Sequence, residues 1–400
     1  MGFEIVSREG KKEAKADVSF VGKEVAQSAK KYHESFPMYQ ETPLRALNAL
    51  AGELGVKEIY IKDESYRFGL NAFKVLGGSF AIGSYIAKQL GIKKEELTYE
   101  QLVSRETRRK LGKITFISAT DGNHGRGVAW TAKQLMQDCV IYMPKGSSME
   151  RLNHIKAEGA KVKITDFNYD DAVRLASKHA AKNNWVLVQD TSWPGYEEIP
   201  IAIMQGYTTM VLEVYEQLKG VKPTHIFVQA GVGSFATAVA GFFADVYGEE
   251  KPVITIVEPN EAACVFKTMK INDGKIHPVT GYMHTIMAGL ACGETVTVGV
   301  DVLRDYVEHF ISCPDYAAAD GMRVLSSPLK DDPRIIAGES GAAGFGCMYE
   351  IMTDKGLEDL KIALGINAES VILCFNSEGD TDKASYRRIV WEGEESRIRE

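Results

Sequence analysis

Three short segments of the chain hold side chains and glycines in arrangements suited to chemistry. In RFGLNAFKVLGGSFA a lone amine, Lys74, heads a stretch with helical spacing, and positions 74, 77, 78 and 81 of one face read Lys, Gly, Gly, Ala. Each helical glycine costs about 1 kcal/mol relative to alanine, so something bulky is expected to approach that face. Asn71 is placed to cap the helix. Lys74 then lies in the first turn, where the helix dipole disfavours an ammonium and favours a nucleophilic amine. Taken alone, the segment reads more readily as a surface lysine beside a helix-packing glycine pair.

The second segment, ITFISATDGNHGRGVAW, ends a strand in Thr120, Asp121, Gly122, Asn123, His124 and Gly125 before a helix. Polar side chains and free backbone N–H groups converge at such a junction, which suits a carboxylate or a phosphate. Singly, His124 reads as a structural histidine and Asp121 as an N-cap. In the third, HIFVQAGVGSFATAVAG, residues Gly231, Val232, Gly233, Ser234, Phe235 and Ala236 fit G-x-G-x-x-A between strand and helix. The following strand, VITIVE, ends in Glu258, as a dinucleotide site with an acid for the ribose would. The same loop can instead cradle one phosphate monoester. The other two segments choose between these readings. A nicotinamide-dependent dehydrogenase needs neither the lysine nor a second anion loop. An aldehyde cofactor carrying a phosphate needs an amine for an imine, an anion cradle and a pocket for the substrate carboxylate.

The elements that must position these residues are those of an α/β protein, doubly wound. Strands are expected at 58–63, 114–119, 139–144, 161–166, 185–190, 225–230, 253–258 and 370–375, and helices at 71–90, 125–137, 149–158, 170–183, 200–218 and 234–247. Several strands are unbroken apolar runs, as a parallel sheet covered on both faces requires, and ligands of such sheets bind beyond the carboxyl ends of the strands. Residues 191–200, TSWPGYEEIP, form a seam where the chain is expected to cross between domains. Four hundred residues leave room for two domains, and a net charge of −7 argues against a nucleic-acid-binding protein. No apolar run approaches the roughly 18 residues of a membrane span, and the first residues lack an apolar signal core, so a cytoplasmic enzyme is expected. Six cysteines without a C-x-x-C pair point to no metal or redox motif, although Cys264 and Cys292 remain candidates for a bridge.

In combination the segments resemble the fold-type II pyridoxal-phosphate enzymes, the tryptophan-synthase-β and threonine-dehydratase group. The shared marks are ETPL (41–44), IYIKDES (59–65), NAFKVLGG, ATDGNHGRG, AGVGS, ESGAAG (339–344) and NSEGDTD (376–382), in family order over most of the chain. The variants RFGLNAFK, TDGNHGRGVAW, QDTSWPGYEEIP and NSEGDTD are most similar to the branch acting on 2,3-diaminopropionate. The resemblance implies two doubly wound domains, a large one from 1–85 and 201–400 and a small one inserted at 86–200, with pyridoxal 5′-phosphate in the cleft between them. It also implies a homodimer.

Carried over by resemblance, Lys74 matches the cofactor-linking lysine and Asn123 the contact to the ring hydroxyl. Gly231, Val232, Gly233 and Ser234 match the phosphate loop, and either Asn376 or Ser377 the partner of the pyridine nitrogen. Val232 and Ser234 interrupt the glycine run common in relatives. Thr120, with Asp121, Gly122 and His124, is expected to meet the substrate carboxylate, and Asp190 corresponds to a second active-site acid. The implied reaction is α,β-elimination of D- and L-diaminopropionate to pyruvate and two ammonia, with Lys74, Asp121 and Asp190 catalytic and Asp121 the base for the D form. A serine/threonine dehydratase of the same fold, a dehydrogenase using Glu258, and a non-catalytic small-molecule sensor are the alternatives.

Overall fold

A computed structural model of the chain describes residues 2–8, 16–120 and 122–397; Met1, Asp121 and residues 9–15 and 398–400 lie outside the described residues. Among the described residues the strands, in chain order, are β1 (Glu4–Ser7), β2 (Leu44–Ala46), β3 (Glu58–Asp63), β4 (Thr115–Ala119), β5 (Asp138–Met143), β6 (Lys161–Ile164), β7 (Val186–Leu187), β8 (His225–Gln229), β9 (Val253–Pro259), β10 (His309–Cys313) and β11 (Val371–Asn376). They form a seven-stranded sheet, β1-β10-β9-β8-β11-β3-β2, and a four-stranded sheet, β6-β5-β4-β7. The small sheet is parallel throughout. In the large sheet only the outermost pairings, β1 with β10 and β2 with β3, are antiparallel.

Every residue of β8 and β11 is buried, which is why their sequences are continuous apolar runs rather than alternating ones. The edge strand β6 alternates exposed and half-buried residues. One apolar cluster joins the two sheets. Phe116 and Ile141 of the small sheet and Ile226 and Val228 of the large one belong to it, together with Leu76 and Phe80 of the helix Val75–Leu90 and Ile203 and Tyr207 of the helix Glu198–Gln217. These two helices therefore fix how the carboxyl ends of the sheets face each other. No helix among the described residues is long and apolar enough to cross a membrane.

Candidate active site

Lys74 is held by pinned backbone on both sides. Asn71 is not the expected helix cap: it takes a left-handed conformation (φ +61°), and its side-chain amide donates to Asp380 Oδ1 (2.9 Å). Its carbonyl accepts the Gly379 N–H (3.0 Å), and the Phe73 N–H donates to the Ser377 carbonyl (3.1 Å). Residues 71–73 are thus tied to 377–380, and Lys74 itself stands at the N-cap of the helix. On the other side glycine permits close approach. A Cβ on Gly127 would lie 2.8 Å from Val75 Cα, and one on Gly77 would lie 2.5 Å from the Tyr207 ring. The bulk facing the Gly77–Gly78 pair is therefore protein rather than ligand.

Beside Lys74 lies a small cavity of about 40 Å³ lined also by Asn123, Gly231, Val232, Gly233, Ser234 and Ser377. Gly233, at φ +101°, turns the end of β8 into the helix Ser234–Tyr247. Its amino terminus at the cavity wall favours an anion through unpaired N–H groups and the dipole. A Cβ on Gly231 would lie 3.2 Å from Cys292 Sγ and 3.3 Å from the Gly289 carbonyl oxygen, so only glycine keeps this loop undisturbed. An amine on one side and a glycine cradle on the other fit an aldehyde bearing a phosphate. Ser377 also reaches the cavity, and its Oγ accepts from Gln229 Nε2 (2.9 Å). Asn376, which pairs with Asp63 in the sheet, turns away: its amide donates to Asp63 Oδ1 (2.8 Å) and the Ile336 carbonyl (3.0 Å).

Among the described residues, the acid that meets the amine is Asp190. Its Oδ2 lies 2.6 Å from Lys74 Nζ, Tyr169 Oη donates to its Oδ1 (3.1 Å), and Ser234 Oγ donates to its carbonyl (2.5 Å). Burial alone would raise its pKa, but the charges of Lys74 and His124 and the hydrogen bonds from Lys74 and Tyr169 hold the carboxyl well below the usual range.

The other expected residues are placed differently. His124 is buried, bonds the Val188 carbonyl through Nε2 (2.9 Å) and does not line the cavity. The buried Thr120 Oγ1 accepts the N–H groups of Gly122 (3.0 Å) and Gly125 (3.1 Å), holding the head of the helix Asn123–Gln134. Asp121 lies outside the described residues. Glu258 is fully buried and accepts the N–H groups of Val265 (2.9 Å) and Phe266 (2.6 Å). It serves the head of the helix Cys264–Ile271 rather than a ribose, which removes the dehydrogenase reading. Cys264 and Cys292 are free thiols rather than a bridge.

Two residues that sequence reasoning passed over stand at the site. Gln229 ends β8 just before the glycine loop. Glu378 follows Ser377, lines the cavity and accepts from Asn123 Nδ2 and the Ser340 N–H (3.1 Å). Their only signal was adjacency to motif residues.

A family model, pyridoxal-phosphate dependent enzyme, matches residues 36–366. The chain belongs to that family, and its cofactor is pyridoxal 5′-phosphate. Within the family it stands beside the diaminopropionate ammonia-lyases. The Salmonella typhimurium enzyme is 48% identical over 382 residues, 94% of this chain and 95% of that one. The Escherichia coli enzyme, solved in complex with D-serine, superposes with a TM-score of 0.92 at 44% identity, covering 98% of each chain. The processed form of threonine deaminase isoform 2 from Solanum lycopersicum, with a TM-score of 0.73 at 20% identity over 99% of this chain and 98% of that one, shares the fold.

Proposed function

We propose that this chain is a carbon–nitrogen lyase that converts 2,3-diaminopropionate, with one water, to pyruvate and two ammonia. The observation that carries the reading is the Lys74–Asp190 pair at 2.6 Å beside a glycine cradle, in a chain so similar to the diaminopropionate ammonia-lyases. Bound there, pyridoxal 5′-phosphate supplies an electron sink at the substrate α-carbon. Lys74 would hold its aldehyde carbon, Asn123 its ring hydroxyl, the Gly231–Ser234 loop its phosphate and Ser377 its ring nitrogen. Because Gln229 donates to Ser377 Oγ, the serine keeps its own proton to donate.

With substrate in the cleft, Lys74 Nζ would be the group positioned to take the α-proton of the L form. Asp190 orients that amine and balances its charge. Asp121 takes the α-proton of the D form from the opposite face, an assignment that rests on the sequence resemblance. A carboxylate near the β-amine keeps it an ammonium, a far better leaving group than the neutral amine, and Asp190 or Asp121 fills that role. The assignment of the substrate carboxylate to Thr120 and the N–H groups near Gly122 rests on the sequence resemblance, since Thr120 Oγ1 itself accepts the Gly122 N–H (3.0 Å). His124 anchors the loop.

The division into 1–85 with 201–400 and an inserted 86–200 belongs to the same reading, supported by a small sheet drawn wholly from residues 115–187. So do a homodimer, which rests on the resemblance, and a cytoplasmic setting, supported by six free buried thiols. Pyruvate release from D- and L-diaminopropionate, beside D- and L-serine and threonine, tests the function. The highest kcat/KM is expected on diaminopropionate, and a hydroxyamino acid turned over faster would make the chain a dehydratase instead.

A further inference from the structure

A second cavity of about 870 Å³ opens where β4 and β7 begin, at the end of the small sheet opposite Lys74. Its buried floor includes Ala81, Ser84 and Ala202. Ser84 is 6% exposed, and its Oγ is buried without a hydrogen-bond partner. An unmade bond on a buried hydroxyl is costly, and an acceptor atom entering the cavity would relieve it.

The walls are flat. Trp185 forms one, and Trp193, stacked on Tyr196 with ring centroids 4.5 Å apart and planes at 22°, forms another. The rim carries both signs of charge, with unequal freedom. Lys88 is paired with Glu198 (2.7 Å) and Lys113 with Asp138 (2.8 Å). Lys94 hydrogen-bonds only a neutral group in the cavity region, Gln205 Oε1 (3.3 Å); burial pulls its pKa down, outweighing the nearby Glu198 and Glu95 carboxylates. An anion beside Lys94 would stabilise its ammonium.

We propose that this cavity binds a small anion carried on a flat ring, and that its occupancy is felt at Asp190. The ring would lie against Trp185 or Trp193, the anionic group beside Lys94, and an acceptor atom on Ser84. The connection to the active site is short. Tyr196 Oη donates to the Leu187 carbonyl (3.0 Å) and accepts the Gln189 N–H (2.8 Å), so the cavity wall fixes the strand end that delivers Asp190 to Lys74.

The test titrates the holoenzyme with 8-anilinonaphthalene-1-sulfonate, a flat anion whose emission rises on burial. One saturable site per chain is expected. Ser84→Leu, which fills the floor, and Lys94→Glu, which reverses the charge, should each weaken binding at least tenfold. Indole-3-carboxylate should displace the probe, whereas inorganic phosphate at the same concentration should not. Saturating probe should change the rate of pyruvate release at least twofold in the wild type and leave Ser84→Leu unaffected. Absence of saturable binding, equal affinity in both variants, equal displacement by phosphate, or an unchanged wild-type rate would each overturn the proposal. Circular dichroism and a basal rate within twofold of wild type establish that Ser84→Leu folds. Lys94→Glu, at the rim, carries the test alone if it does not.

Discussion

Asp190 joins the reactive amine to the phosphate cradle: its carboxylate meets Lys74 Nζ at 2.6 Å, and its backbone carbonyl takes the Ser234 hydroxyl at 2.5 Å. Replacing the carboxylate with an amide should therefore separate chemistry from cofactor binding. Asp190→Asn is expected to retain the visible absorbance of the bound cofactor while kcat on L-diaminopropionate falls about 10²- to 10⁴-fold, the usual weight of a proton-handling group. Loss of the colour along with the rate would make Asp190 a residue of cofactor retention.

In the proposed mechanism Asp121 is the base for the D form. Asp121→Asn should depress turnover of D-diaminopropionate at least tenfold more than that of the L form, measured by pyruvate release from each enantiomer. Equal losses would remove the two-base account.

Asn376 and Ser377 are adjacent yet do different work. Ser377→Ala should shift the absorption of the bound cofactor and weaken its retention on dilution. Asn376→Ala breaks the buried bonds to Asp63 and Ile336. It should cost about 1–3 kcal/mol of stability, seen in the urea midpoint, and leave the spectrum in place.

Gly127 meets the backbone on which Lys74 rides, since a Cβ there would lie 2.8 Å from Val75 Cα and 3.3 Å from the Lys74 carbonyl carbon. Gly127→Ala should cost about 1–3 kcal/mol through overpacking. A displacement of Lys74 near 1 Å should lower kcat about 10²-fold. A variant with unchanged Tm and kcat would show that the helix contact yields without moving the lysine.

Beneath the loop leading to Lys74, Lys62, Glu64, Arg67 and Glu213 form a fully buried set of two cations and two acids. Burial would raise the Glu213 pKa, but Arg67 and Lys62 outweigh it and hold the carboxyl at about 2. That is below the unfolded value near 4.3. The stability this gives is thus fully present above about pH 4.3 and is lost as pH falls toward 2. Urea midpoints should fall steeply between about pH 4.3 and pH 2. Glu213→Gln should flatten that fall and cost about 3–5 kcal/mol at neutral pH, because two buried cations lose a partner.

What could be read from the sequence follows from burial. Strands β8 and β11 were legible because both faces are covered and their sequences are largely apolar. The strands β1 and β2 were not, since short edge segments owe their extension to a neighbour rather than to their own pattern. Nor was β10, where His309 and Ser312 interrupt the run. WVLVQD reads as a six-residue strand, yet only Val186–Leu187 are strand, in part because the Gln189 N–H bonds the Tyr196 hydroxyl instead of a neighbouring strand. At the site, the amine and the cradle were visible as motifs. Glu258 misled because a buried cap and a ribose acid occupy the same position after a strand. Gln229 went unseen because its partners lie more than a hundred residues away in sequence, and Glu378 because its contact to the site is with the distant Asn123.

Lys74 is expected to carry the cofactor through its side-chain nitrogen. Borohydride reduction of the holoenzyme, followed by digestion and mass spectrometry of the lysine-containing peptides, tests it most directly. The account predicts a stable phosphopyridoxyl adduct on Lys74, with loss of the yellow colour. An adduct confined to another lysine, or none on a protein saturated with pyridoxal 5′-phosphate, would contradict it.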